Sequence, residues 1–409
     1  MAGLIAYGSY VPYHRLKRSG IGAALGSGGG KGTRAVASYD EDPTSMAVEA
    51  ARRAVRGLDA SVDIRRVLYS TASPPYLDKT NANVVHAALD LDPAALAVDV
   101  VGSVRSGVGA LLLAAESSTP TLAVAADIRT GRPGSSDERE GGDAAAAFVF
   151  GDGADPVAEL VAQASATEEF LDRWRLPGAP ASRVWEERFG EHAYGPLADA
   201  AFAGALKEAG LTPADVDVLI VAGMHSRAVR AFAAHAGVDR VAADLTATVG
   251  NAGTAQPGLL LADTLDRAKP GQTVALVILA DGATALIWRT TEALAARRQP
   301  VSVAAQIEAG DDALPYANFL TWRGFLTKEP PRRPDPVGPA APPTLRAEHY
   351  KYGFVGHRCV APTGPGGAEC GTVHLPPVRV CITCKSVDQM VRRPMADVPG
   401  RVATFTIDR

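Results

Sequence analysis

"TATVGNAGTAQPGLLLADTLDRA" (residues 246–268) is a glycine-broken turn that runs into an apolar helix, and "DVVGSVRSGVGALLLAAE" (99–116) is its counterpart in the first half of the chain. Working outward, both are preceded by the same pair of elements. "GLDASVDIRRVLYSTASPP" (57–75) and "EAGLTPADVDVLIVAGMHS" (208–226) each lead from a helix end into a strand. Both are also followed by strands: "TLAVAADIRT" (121–130) and "AAAAFVFGDG" (144–153) in the first half, "QTVALVILADGATALIWRT" (272–290) in the second. Short β-branched runs alternating with alanine-rich helices mark βαβ units around a largely buried sheet. Repetition of the whole order predicts one α/β domain over residues 1–300, made of two similar halves, 1–155 and 156–300.

A chain of 409 residues exceeds the size at which a single core stops growing, so a further domain is expected. Hydrophobic residues make up 47% of the chain, enough for a packed interior. The formal charge of -4 offers a polyanion nothing, which excludes nucleic acid as the main partner. The opening "MAGLIAYGSYVPYHR" has no basic-then-apolar signal, and no apolar run reaches the roughly 18 residues of a membrane span. A cytoplasmic protein is expected. Residues 301–346 are expected to form a linker, because "TKEPPRRPDPVGPAAPP" (327–343) is too poor in apolar residues for a core and stiff enough for a spacer. Residues 347–409 then form a small domain, whose last stretch, "GRVATFTIDR", reads as a single strand cut short.

All four cysteines fall in that small domain, at Cys359, Cys370, Cys381 and Cys384. Cys381 and Cys384 stand as C-x-x-C, a tight turn that presents two sulfurs on one side. Cys359 and Cys370 form a second pair whose Gly/Pro-rich interval can loop out. Four clustered thiols predict a tetrahedral zinc ribbon, and a four-thiolate site has no open position, so the zinc is structural. His357 and His374 lie nearby and are left out of the ligand set. "GSGGGKGT" (26–33) imitates a phosphate loop, but Gly32 separates Lys31 from Thr33 and breaks the required G-K-[ST] order.

The opening "GSYVPYHRLKRSGIGAALGSGGGKGTRAVASYDEDPTSMAVEAARRAV" (8–55), together with "VGNAGTAQPGLLLADTL" (249–265), resembles hydroxymethylglutaryl-CoA synthases of the thiolase superfamily. The resemblance runs from about residue 3 to 290, with the motifs in the family's order. It implies a duplicated five-layered α/β/α/β/α sandwich, a homodimer formed through a sheet edge, and an acyl-CoA thioester as substrate. It also identifies the C-terminal segment with zinc-ribbon/OB-fold proteins associated with acyl-CoA enzymes, so the final strand is expected to begin an OB-fold.

The resemblance assigns site residues as well. The superfamily's nucleophilic cysteine sits at the start of a buried helix, where N–H groups and the helix dipole favour the thiolate. In this chain that position is Val104, which cannot attack. Ser103 and Ser106 flank it, as substitutes or as caps, and Arg105 can meet an acidic substrate group or solvent. His225 matches the catalytic histidine, donating a hydrogen bond to the thioester oxygen or moving a proton. Asn251 matches the asparagine whose amide stabilises an enolate, and the alternative is a turn-forming Asn-Ala-Gly. The family's acidic glutamate is replaced by Ala72. Gly141, Gly142 and Asp143 match a strand entry with a structural role. Standard hydroxymethylglutaryl-CoA synthesis, which needs thiol and acid, is therefore not implied. Three readings follow: a thiol-free acyl-CoA acyltransferase or carbon–carbon bond-forming enzyme; a retro-aldolase acting on a β-hydroxyacyl-CoA, like the cysteine-less aldolases that work with zinc-ribbon/OB-fold partners; and a non-catalytic acyl-CoA scaffold serving another pathway enzyme.

Overall fold

The computed structural model describes residues 2–26, 28–59, 61–152, 155–329, 332, 341–363 and 366–406. Its centre is a nine-stranded sheet built from β1 (Gly3–Tyr10), β2 (Arg66–Thr71), β3 (Leu96–Val101), β4 (Thr121–Asp127), β5 (Ala144–Gly151), β6 (Ala158–Ala166), β7 (Val218–Gly223), β8 (Thr273–Leu279) and β9 (Ala283–Thr290). The spatial order is β7-β8-β9-β6-β1-β5-β4-β2-β3. The duplication is visible in the pairing. In the first half β1 runs antiparallel to β5, β5 antiparallel to β4, and β4 parallel to β2. The second half repeats this with β6, β9, β8 and β7. The parallel neighbour that β3 gives β2 is reduced in the second half to one bridge, Leu219 to Val241. The halves meet at the β1–β6 pair Leu4–Ala158.

Helices complete the layers. α1 (Pro43–Val55) lies on the outer face of β1, β5 and β4. It starts at Asp42, whose side chain accepts from the Ser45 N–H at 2.7 Å while Ser45 Oγ accepts from the Asp42 N–H at 2.8 Å. α2 (Arg105–Ala115) and α5 (Gln256–Arg267) form the middle layer, and α3 (Glu187–Ala209) and α4 (Ser226–His235) cover the second half from outside. α5 packs on strands of both halves and is buried from Gln256 through Leu265. A helix that is apolar nearly all round belongs between two layers, since each leucine buried there contributes about 1.5–3 kcal/mol. The fold is the layered α/β sandwich expected. "GSGGGKGT" leads into a strand, Thr33–Val36, and not into a helix, so no phosphate loop forms.

The chain divides into two compact units, Met1–Val85 with Pro93–Glu329, and His86–Asp92 with Pro330–Arg409. The expected linker is therefore shorter than 301–346. Residues 303–322 contain α6 (Val303–Glu308) and α7 (Tyr316–Trp322), which belong to the large unit, with Val303 and Phe319 fully buried. Arg323, at the end of α7, is ion-paired to buried Asp143. Most of the proline-rich spacer, residues 330–331 and 333–340, lies outside the described residues.

The small unit carries α8 (Ala341–Lys351) and a three-stranded sheet of β10 (Val355–Cys359), β11 (Val373–His374) and β12 (Met390–Pro394), with β10 central. Residues 401–406 form no strand, and Val402 and Phe405 are 81% and 75% exposed. An extended segment needs a neighbouring strand to satisfy its backbone, and none lies beside this one among the described residues. Among the described residues, the OB-fold strand expected there is not formed. No helix among the described residues is long and apolar enough to cross a membrane.

Candidate active site and metal centre

The end of β4 places a carboxylate that accepts four hydrogen bonds. Asp127 is fully buried. Its Oδ1 accepts from Thr71 Oγ1 at 2.9 Å, the Ala72 N–H at 2.7 Å and Ser73 Oγ at 3.1 Å, and its Oδ2 accepts from the Thr254 N–H at 2.7 Å. One side chain thus ties the end of β2 to the turn before α5, joining the two halves. A Cβ on Gly253, whose φ is +58°, would stand 2.5 Å from Asp127 Oδ2 and 2.9 Å from Arg129 Cδ, so only glycine fits there.

The loop after β4 is held by a second buried network. Arg34, fully buried, donates to the carbonyls of Glu138 at 2.6 Å and Arg129 at 2.7 Å and pairs with Asp143 at 3.4 Å. Asp143 also accepts from the N–H groups of Arg129 at 2.9 Å and Ala37 at 2.8 Å. Burial pushes the Arg34 guanidinium down to about 10, against the opposing pull of Asp143. A Cβ on Gly142 would sit 2.0 Å from the Val249 carbonyl oxygen. This close approach gives Gly142 and Asp143 the structural role expected of them.

Between these anchors lies a cavity of about 150 Å³. Ala72, Ser103 and Val104 line it, so the positions of the expected acid and nucleophile do converge, and both carry inert side chains. Val104 is the N-cap of α2. The opposite wall comes from residues 167–186, which the sequence reading left unassigned. There Arg173–Trp174 pairs antiparallel with Arg183–Val184, and the Trp185 N–H bonds the Asp172 carbonyl at 2.7 Å. This small flap contributes Asp172, Arg173 and Arg175 to the lining, facing Arg129 and Tyr194. Arg173 makes a two-point pair with Asp137, 2.7 Å at each contact. Burial would raise the Asp137 carboxyl, but Arg173, followed by Arg129 and Arg34, holds it below the ordinary carboxylate range. Asp172 is pushed the other way, raised by burial with Tyr194 and Arg173 only partly opposing. The alternation in "DRWR" (172–175) was the available signal: polar residues with an aromatic, in a segment that reads as neither core strand nor helix.

The remaining expected residues are placed as follows. His225 caps α4, with Nδ1 accepting from the Ala228 N–H at 3.1 Å, so its neutral ring carries the proton on Nε2. Its ring centroid is 6.1 Å from that of Tyr194, and Gly190 of α3 leaves room for it. Asn251 donates Nδ2–H to the Gly223 carbonyl at 2.8 Å and accepts from the Gly253 N–H at 3.0 Å. Neither lines the cavity; Met224, the residue before His225, does. Ser106 Oγ bonds the Val101 carbonyl at 3.2 Å. Arg105 donates to the Asp281 carbonyl and, at 2.8 Å, to Thr167 Oγ1, tying α2 to neighbouring loops. Arg105 and Ser106 are not among the residues that line the cavity, and their donors are taken up by backbone carbonyls and Thr167.

In the small unit the four cysteine sulfurs lie within 4.8 Å of one another. Cys359 and Cys384 are 3.6 Å apart and Cys370 and Cys381 3.7 Å. These separations match tetrahedral zinc, whose Zn–S bonds of about 2.3 Å put sulfurs roughly 3.8 Å apart, and they are far beyond a disulfide's roughly 2.05 Å. Cys381 and Cys384 lie on a knuckle closed by the Lys385 N–H to the Cys381 carbonyl, 3.0 Å, with Lys385 at φ +61°. Within the long interval the Thr363 N–H bonds the Ala368 carbonyl at 2.7 Å. Against the upward push of burial, the Cys384 N–H and His374 bring the Cys381 thiol down to about 5, favouring a thiolate. His357 turns away to the Val378 carbonyl.

Comparison with known proteins follows the same lines. Residues 206–290 match the family described as 3-oxoacyl-[acyl-carrier-protein (ACP)] synthase III C terminal. The hydroxymethylglutaryl-CoA synthase of Methanopyrus kandleri is 31% identical over 297 residues, 69% of this chain and 85% of the relative. That of Methanothermobacter thermautotrophicus is 28% identical, covering 80% of this chain and 99% of its own. Among solved structures, MvaS in complex with 3-hydroxy-3-methylglutaryl coenzyme A superposes with a TM-score of 0.68 at 20% identity, over 83% of this chain and 94% of that one. A β-ketoacyl-[acyl carrier protein] synthase III from Thermus thermophilus gives 0.61 at 22%, over 71% and 99%. At such identities these two likenesses speak for the fold.

Proposed function

The chain belongs to the hydroxymethylglutaryl-CoA synthase family, and from that premise we propose that it processes an acyl-CoA thioester without forming a covalent acyl-enzyme. The carrying observation is Val104, an inert side chain lining the cavity at the start of α2. In this reading His225 supplies the proton or hydrogen bond to the thioester oxygen, and Asn251 stabilises the enolate. Met224 must move for a thioester to reach them, and an unbranched thioether is the side chain most able to do so. Carbon–carbon bond making, and its reverse on a β-hydroxyacyl-CoA, both fit this chemistry. A second reading, a non-catalytic acyl-CoA scaffold for a partner enzyme, is favoured by the cavity lining, which includes Met224 but neither His225 nor Asn251. His225→Ala separates the two. Turnover of the responsive acyl-CoA should fall about 10²-fold or more. An unchanged rate would sink the catalytic role.

A structural zinc ion on Cys359, Cys370, Cys381 and Cys384 is part of the proposal, supported by the sulfur separations. So is a homodimer through β3, an edge strand with Leu96 54% and Val101 48% exposed, the type of edge that folded proteins cover. Light scattering at micromolar concentration should give twice the chain mass; a stable monomer would count against it.

A further inference from the structure

The four sulfurs of the small unit are not served alike. The Thr372 hydroxyl stands 3.1 Å from Cys370 Sγ, and the Ser386 hydroxyl stands 3.3 Å from Cys359 Sγ and 3.1 Å from Cys384 Sγ. Cys381, fully buried, has no hydroxyl at hydrogen-bond distance among the described residues. Its sulfur is met instead by the N–H groups of Cys384 and Thr383 and by the ring of His374. His374 lies on β11, in register with His357 of the central strand, and is only 6% exposed. Its Nε2 is buried without a hydrogen-bond partner, whereas the ring of His357 has the Val378 carbonyl. A buried ring nitrogen left unpaired is costly, so its use is to be sought in what stands beside it.

Resting on the four-thiolate zinc reading above, we infer that His374 donates Nε2–H to the Cys381 thiolate and acts as a positioning residue for the bound ion. Four thiolates carry more negative charge than one divalent ion cancels, and each donor near a sulfur draws off part of the excess. The hydroxyls of Thr372 and Ser386 are placed to do this for three sulfurs, and His374 completes the set at the fourth. The ring is a partner of a ligand and not itself a ligand, because four sulfurs within 4.8 Å of one another already fill a tetrahedron.

Competition between the full chain and a chromogenic chelator, read with zinc and with cobalt, tests this. The parent protein should bind one ion per chain. His374→Leu, which keeps an apolar bulk and removes the donor, should bind zinc about tenfold or more weakly. In its cobalt form the sulfur-to-metal charge-transfer band should move to longer wavelength, because a thiolate that has lost a hydrogen bond gives up electron density more readily. His374→Gln keeps an N–H donor and should restore both the affinity and the band. Weaker binding in both variants with an unmoved band would mean packing alone and overturn the hydrogen bond. Equal affinity and an unmoved band in His374→Leu would overturn it as well, and leave the four-thiolate reading standing. X-ray absorption that finds a nitrogen beside three sulfurs in the parent would make the ring a ligand, against both the hydrogen bond and the four-thiolate set. A parent that takes up neither metal overturns the zinc reading and this inference together.

Discussion

Chelating the metal is expected to unfold the small unit while the large one keeps its structure. The buried apolar cluster around the four thiols consists of Cys359, Ala361 and Cys381, with Cys370, Cys384 and Met390 packed against it. Those are largely the proposed ligands themselves, so removing the ion removes most of what the sheet of β10, β11 and β12 is built around. Apparent binding energies of about 10–16 kcal/mol for structural zinc exceed anything so small a core supplies. Elemental analysis should give one zinc per chain in protein purified without chelator. After chelation, or in Cys381→Ser, limited proteolysis should cut within β10–β12, and the main thermal transition should survive. Metal content near zero, or a chelated small unit that resists protease, would remove the site.

Much of the fold was legible because it is written twice. The buried runs of β2 and β7, followed by the glycine-containing starts of α2 and α5, have the same periodicities in the same order, and the sheet pairing repeats accordingly. The small unit was legible through its cysteines, since four thiols confined to so short a stretch point to one clustered site, and their sulfurs lie within 4.8 Å of one another. What the sequence hid were features depending on partners far apart in the chain. α7 contributes Phe319 to the interior, but flanking polar residues and nearby prolines give it the texture of a linker; its anchor, Arg323 on Asp143, spans 180 positions. Arg105 bonds backbone carbonyls, which have no sequence signature. His225 and Asn251 could be matched to a motif, yet whether they face the cavity depends on which residue of the strand end points inward, and that residue is Met224. The flap went unread for a different reason. Its two-residue strands are too short for periodicity, and charged residues in a loop ordinarily mean solvent.

Substituting Val104→Cys should turn a protein that is never acylated into one that is. The residue caps α2, where the helix dipole favours a thiolate. It lines the same cavity as Arg129 and Arg175, whose positive charge acts in the same direction. A valine has no lone pair to offer a thioester, whereas a thiolate at this place needs only a correctly bound acyl group. Intact-mass spectrometry after incubation with acetyl-CoA should show the parent chain unmodified and Val104→Cys carrying one acyl group at residue 104. An adduct in the parent protein mapping to Ser103, which also lines the cavity, would replace the thiol-free route with a serine one. Absence of any adduct in Val104→Cys, with the variant folded and acetyl-CoA bound, would mean that the thioester carbonyl does not reach the start of α2. The processing chemistry would then have no reacting centre in this cavity, and binding alone would remain, as in the scaffold reading. If the adduct forms and persists, its lifetime tests His225 and Asn251. Combining Val104→Cys with His225→Ala should slow acyl transfer onto the thiol, because the residue that polarises the thioester carbonyl is gone, while binding of acetyl-CoA stays the same.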